Sequence, residues 1–300
     1  MNKDIKELIF ILLLAIPILT MLLMSAFVDS PVDIDVSNLN RTYMLIGNSL
    51  SLLFFFLPYL AIRKNKKYNM NFRKFDNRGI CILLFSFLFF IVFNSLIIEL
   101  NKGLVFPEFM NKFEAWAISK EKQLAKLTVF LISFESFNEY LIGVLAIAII
   151  PGILEEFFFR GILQKNILLI SRNHHFAIWI SAIIFSFIHL QFYGFFPRMI
   201  MGVLFGYIFY WSGSLTYPII AHIFNNFFSL TLFYAANQGL FGADFKVDIN
   251  SSPDIPLYII IFSFVVFSFS IFHLKKHFKK ISRISGEAFL KQSSLMKLRL

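Results

Sequence analysis

Cysteine and charge are both scarce in this chain of 300 residues. Cys81 is the only cysteine, which excludes an internal disulfide and a metal site built on paired cysteines. Charged residues make up 15% of the chain, against the ~25% of ordinary soluble proteins. Because 58% of the residues are hydrophobic, a water-soluble domain is excluded. The glycine-rich patterns GxxxxGK[ST] and GxGxxG, which bind phosphate groups, are absent as well.

The sequence instead contains long apolar runs. Most of them are about the length of a helix that crosses the hydrocarbon core of a bilayer. We therefore predict an all-α, polytopic membrane bundle with about eight transmembrane helices. The expected spans are residues 8–28, 42–62, 79–98, 140–170, 176–189, 199–215, 217–236 and 255–272.

The net charge of +10 is explained by membrane topology. Seven basic residues and one acid lie between Arg63 and Arg78, which places this loop on the cytoplasmic side. With eight spans, both termini then lie in the cytoplasm. We expect the basic segments to contact anionic lipid, and we expect no nucleic-acid partner.

Residues 99–138 are more polar and predict a connector rather than a span. Pro107 opens a plausible helix in which Phe109, Phe113 and Trp116 share one face. Such an amphipathic stripe is typical of a helix at the membrane interface. A lateral gate for substrate is the alternative interpretation.

Three charged residues, Glu155, Glu156 and Arg160, follow fifteen uncharged ones at 140–154. Each charge at membrane depth costs ~2.5–3.5 kcal/mol, so the cluster indicates a functional site. Glu156 and Arg160 are four residues apart, which predicts an ion pair along one helix face. Glu155 is rotated by about 100° from Glu156 and has no local partner. A desolvated carboxylate of this kind can accept or donate a proton near neutral pH.

Two further polar pieces complete a candidate site. Glu155 and His189 stand the same number of residues before and after Arg172, so two antiparallel helices would bring them side by side. His222 and Asn226 share one helix face, and both can donate hydrogen bonds to an oxyanion. Helix–helix hydrogen bonding is the structural alternative. No serine or cysteine nucleophile stands beside a histidine in these segments, so a water activated by Glu155 and His189 is the simplest catalyst.

At these residues the sequence resembles the CPBP family of intramembrane endopeptidases. That family includes type II CAAX prenyl endopeptidases and bacterial relatives, such as Abi-domain self-immunity proteins and proteins like lysostaphin resistance protein A. Three motifs carry the resemblance, which extends over residues 140–236. They are EExxxR at Glu155, Glu156 and Arg160, FxxxH at Phe185 and His189, and HxxxN at His222 and Asn226.

The resemblance implies an eight-span endopeptidase of a bacterial cell membrane, acting on a hydrophobic or lipid-modified peptide or protein. Residues 1–138 would form N-terminal spans and the connector, 139–240 the catalytic core, and 241–300 the last span and a basic tail. Glu155, His189, His222 and Asn226 would be catalytic, with Glu156 and Arg160 as a structural ion pair. We favour a reaction without a metal cofactor. A zinc ion held by Glu155, His189 and His222 is the alternative.

Two other functions fit the same polar residues. A non-catalytic scaffold or bacteriocin self-immunity protein could use the cluster to bind a partner. A proton-coupled transporter could relay protons through glutamate and histidine, but the paired interrupted helices of such transporters are missing. The sequence does not indicate an oligomeric state.

Overall fold

The computed structural model describes residues 40–62, 72, 76–241 and 255–284. These residues contain helices and turns and no strand, which confirms the predicted all-α bundle. The helices are α1 (Arg41–Leu52), α2 (Leu57–Ile62), α3 (Asn77–Lys102), α4 (Asn111–Ile132), α5 (Phe137–Ser171), α6 (His174–Phe187), α7 (Phe195–Ser212), α8 (Thr216–Asn237) and α9 (Leu257–Ile284). The predicted span at 8–28, most of the basic loop at 63–78 and the tail after 284 lie outside the described residues.

Polar side chains mark where several helices begin. Asn40, Asp76, Ser136 and Asn173 each accept a hydrogen bond from a backbone N–H in the first turn of α1, α3, α5 and α6. Such caps satisfy donors that the helix itself leaves unpaired. The bounds of these helices are therefore encoded locally in the sequence.

Six helical segments among the described residues are long and apolar enough to cross a membrane. They are α1 with α2, α3, α5, α7 with the turn before it, α8 and α9. The chain is thus an integral membrane protein. α5 continues as one helix through Ser171, as expected.

The predicted span at 176–189 needs correction. Its helix, α6, has 14 residues, or about 21 Å of rise, which is short of the ~30 Å hydrocarbon core. The helix ends at Phe187, so His189 lies in the turn that follows and not within a span.

The connector contains a short 3₁₀ turn, Glu108–Met110, followed by α4. Phe113 and Trp116 lie on the side of α4 that packs on Phe192, with ring centroids 5.0 and 5.6 Å away. Phe109, the first residue of the predicted stripe, is 86% exposed. The apolar face of α4 therefore contacts the segment that follows His189.

Helix α5 is the central element of the bundle. It contains two π-helical segments, Val144–Ile149 and Phe157–Leu163, on either side of the α-helical stretch Ile150–Glu156. π-Helical insertions rotate the side chains that follow and often occur at functional sites. α8 packs along this helix. A side chain at Gly152 would overlap Ile223 of α8, so the glycine permits close contact between the two helices.

Candidate active site

Glu156 is a fully buried carboxylate with two hydrogen-bond donors. Its Oε1 accepts from Arg160 Nη1 at 2.8 Å and from His222 Nδ1 at 2.9 Å. The contact with Arg160 is the one expected from the four-residue spacing. The contact with His222 joins α5 to α8, and the spacing of residues within α5 could not reveal it.

Arg160 also connects the buried Glu156 to α7. Its Nη2 donates to the carbonyl oxygen of Gly202 at 2.9 Å. Its guanidinium lies 5.0 Å from the ring centroid of Phe185 and 5.3 Å from that of Phe205. Cation–π contacts of this kind gain strength when they are desolvated. Arg160 therefore connects α5, α6 and α7 around the charge of Glu156.

Glu155 has a different environment, although it is also buried. Its Oε2 lies 3.9 Å from His222 Nε2, which is too long for a hydrogen bond. Within the described part of the chain, no side chain or backbone group donates a hydrogen bond to it. Glu155 therefore retains capacity to bind a water molecule or a proton.

His222 lies between the two carboxylates. Nδ1 contacts Glu156, whereas Nε2 faces Glu155. The imidazole stacks on Phe205 at 5.0 Å with an interplanar angle of 22°, which fixes the direction of both nitrogens. The ring of His222 thus contacts Glu156 through one nitrogen and faces Glu155 with the other.

His189 is held by the end of its own helix. Its Nδ1 lies 2.7 Å from the carbonyl oxygen of Phe185. With a proton on Nδ1 donated to that oxygen, Nε2 is the nitrogen left for chemistry. No hydrogen bond joins His189 to Glu155 in the described ranges, so residue counting did not yield a direct contact. Both residues interact electrostatically with Arg198 and His222.

Asn226 lies one turn beyond His222 on α8. Its Nδ2 donates to the carbonyl oxygen of Ile147, in the first π segment, at 3.2 Å. Its Oδ1 accepts from Asn225 Nδ2, also at 3.2 Å. An amide has two hydrogens, so one remains to donate to a further group.

The turn after α6 is secured by a residue that sequence reasoning missed. Asn101, only 2% exposed, donates to the carbonyl oxygen of Phe192 and accepts from the N–H of Phe196, both at 2.9 Å. Leu190, directly after His189, has φ = 52°, an unusual conformation for a side chain of its type. The end of α3 therefore supports the turn that carries His189. An asparagine near the end of an apolar run was the only signal in the sequence.

The side chains predicted as an alternative zinc site do not form a ligand set. Within the ranges that the structure describes, no group of three His, Cys, Asp or Glu side chains is arranged to hold a metal ion. Glu155 and His222 face each other, but His189 does not complete a three-residue ligand group with them. The geometry therefore does not fit a zinc ion, and the absence of a cofactor stays a prediction.

Comparison with protein families agrees with the motifs. Residues 137–228 match the family model described as Type II CAAX prenyl endopeptidase Rce1-like. The matched segment is less than half of the chain. It contains α5 from its first residue, α6, α7 and most of α8, and hence every motif residue described above. A search of curated proteins and a search of solved structures each find no match.

The match to this family model confirms the resemblance to the CPBP family. It also supports a general function as an intramembrane protease of the CAAX-processing type. The match begins two residues before the predicted catalytic core of 139–240 and ends within α8.

Proposed function

We propose that this protein is an intramembrane endopeptidase that hydrolyses a peptide bond of a membrane-associated protein or peptide. The substrate is hydrophobic or lipid-modified, and Glu155 and His189 activate the attacking water. The observation that carries the proposal is the contrast between two adjacent buried carboxylates. Oε1 of Glu156 accepts hydrogen bonds from Arg160 and His222, whereas Glu155 accepts none among the described residues.

In the proposed reaction, Glu155 takes a proton from water, and the resulting hydroxide attacks the scissile carbonyl carbon. Nε2 of His189 accepts a hydrogen bond from the attacking water and orients it. The carbonyl becomes a tetrahedral oxyanion. Collapse of this intermediate breaks the C–N bond, and the protonated Glu155 gives its proton to the leaving amine. The products are a carboxylate and an amine, so atoms and protons balance.

His222 and Asn226 are proposed to stabilise the oxyanion. With both ring nitrogens protonated, His222 donates through Nδ1 to Glu156 and keeps Nε2–H for the oxyanion. Asn226 donates one amide hydrogen to Ile147 and keeps the other. Donors held in place before the reaction need little reorganisation as negative charge develops.

The cellular setting of the proposal rests on the charge distribution along the sequence and on the family resemblance. We propose a multi-pass protein of a bacterial cell membrane with both termini in the cytoplasm and with membrane lipid around it. No cofactor enters the proposed steps, because the side chains that would hold zinc do not converge.

The test is a comparison of protein termini in membranes that contain the wild-type chain, Glu155→Ala or His189→Ala. We expect each variant to insert and accumulate normally while the termini produced by the wild type disappear. Full biological activity of Glu155→Ala would contradict the peptidase. A scaffold or self-immunity protein would then be the better assignment.

A further inference from the structure

Arg198 is a second arginine at the candidate site, outside the three motifs. It lies in the first turn of α7, next to the turn that carries His189. An ionisable residue within a membrane-spanning segment is expensive, and its presence by default indicates function. Unlike Arg160, it has no acid at a helical spacing on its own helix: α7 contains no aspartate or glutamate.

The guanidinium of Arg198 is positioned but only partly satisfied. Nη2 donates to Gln191 Oε1 at 2.6 Å, whereas Nη1 is buried and has no hydrogen-bond partner. The group packs against the backbone at Gly194, where a Cβ atom would lie 3.3 Å from Nη2. One end of the guanidinium is thus fixed by the turn, and the other end is available to a ligand.

The charges around Arg198 leave it incompletely neutralised. It interacts electrostatically with Glu155 and with Glu121 of α4. In the described ranges no carboxylate lies within ion-pair distance of it, whereas Arg160 has Glu156 at 2.8 Å. Burial raises the pKa of the Glu121 carboxyl, and its Oε2 also lacks a hydrogen-bond partner. Glu121 therefore neutralises Arg198 less fully than Glu156 neutralises Arg160.

We propose that Arg198 binds the free C-terminal carboxylate of the peptide substrate. The inference rests on the proposed peptidase function and adds a recognition site to it. A guanidinium matches a carboxylate in both charge and geometry, and Nη1 is the unfilled donor. The chain end is the one anion that even a wholly apolar peptide carries. Because Arg198 lies within electrostatic reach of Glu155, the bound end would lie near the scissile bond.

The test is peptide binding to the full-length protein in phosphatidylcholine nanodiscs. The probes are two fluorescent, N-terminally palmitoylated peptides of leucine and alanine, one ending in a carboxylate and the other in an amide. We expect the wild type to bind the acid on the order of tenfold more tightly, as for a hydrogen bond to a charged group. Glu155→Gln should keep this preference while it removes cleavage.

Variants of Arg198 decide the assignment. Arg198→Met should reduce the ratio of affinities for the acid and the amide peptide to about one, because it removes the charge. Arg198→Lys should keep part of the preference for the acid. The lysine variant also remains informative if the methionine variant is not recovered in folded form. Arg41→Met is the matched control, because Arg41 has its own partner, Glu139, at 2.6 Å and should leave the ratio unchanged.

Several outcomes would overturn the carboxylate site. One is a wild-type ratio of acid to amide affinity near one. Another is an equal loss of affinity for both peptides in Arg198→Met, which would indicate a structural role. A preference that disappears when phosphatidylglycerol is added would assign Arg198 to lipid phosphate instead. Cleavage without a carboxylate preference would leave the peptidase intact and remove only this inference. A carboxylate preference without cleavage of either peptide would support the site and count against the proposed reaction.

Discussion

Glu155 and Glu156 are neighbours in sequence and are both buried, yet they have opposite surroundings. Glu156 accepts hydrogen bonds from an arginine and a histidine, whereas Glu155 lies 3.9 Å from Nε2 of His222 and accepts no hydrogen bond among the described residues. A rotation of about 100° per residue along the helix separates them. Adjacent carboxylates can therefore differ in function, because packing places hydrogen-bond donors next to one and not next to the other.

The same contrast extends to the two arginines. Arg160 is central and has a carboxylate partner, Glu156, together with the carbonyl oxygen of Gly202 and aromatic rings around it. By contrast, no carboxylate lies within ion-pair distance of Arg198 in the described ranges. Arg198 has one buried nitrogen without a partner. Charged groups that have an ion-pair partner stabilise the bundle, whereas charged groups without one are available for substrate. The comparison thus predicts which substitutions lower stability and which lower activity.

The largest effect on stability is expected for Glu156→Ala. The substitution leaves Arg160 buried without a counter-charge, and breaking a buried pair in this way costs about 3–5 kcal/mol. The measurement is unfolding in detergent. Glu139→Ala is the control, since Glu139 pairs with Arg41 at a more exposed position and should cost about 0–1 kcal/mol. Equal stability of the two variants would show that Glu156 is not an anchor.

The neighbouring side-chain amides of α8, Asn225 and Asn226, allow a second comparison. Asn226→Ala should lower the cleavage rate about 10²–10³-fold if Asn226 donates to the oxyanion. Asn225→Ala should lower the rate much less, because its side chain only helps to orient the Asn226 amide through one hydrogen bond. Turnover of a cleaved membrane peptide is the measurement. Similar rates for the two variants would remove Asn226 from the reaction.

The smallest effect is expected from metal removal. Since the candidate ligands Glu155, His189 and His222 do not converge, chelation should leave cleavage unchanged, and purified protein should contain less than stoichiometric zinc. Metal analysis together with turnover after chelation tests this. Stoichiometric zinc that is lost in Glu155→Ala would place a metal at the carboxylate that we assign as the base.

Local patterns in the sequence predicted much of this architecture. Apolar length located the helices, and the four-residue spacing placed Arg160 against Glu156. The end of α6 at Phe187 was missed, because the apolar run continues beyond the helix. The two π segments of α5 have no simple composition signal.

Contacts between distant segments were harder to predict. The bond from His222 to Glu156 joins residues 66 positions apart. The unfilled nitrogen of Arg198 depends on a turn and on α4 as well as on α7. Such features arise from packing rather than from spacing along one helix.

The most direct measurement compares Glu155→Gln with Glu156→Gln in one preparation, by turnover and by unfolding. Glutamine keeps the size of each side chain and removes its charge. We predict that Glu155→Gln lowers turnover by about 10²–10⁴-fold, as for loss of a general base, and unfolds like the wild type. Glu156→Gln should lower stability far more than Glu155→Gln does. Retained turnover in Glu155→Gln would contradict the assignment of Glu155 as the base. A loss of stability in Glu155→Gln together with a loss of turnover alone in Glu156→Gln would contradict it as well.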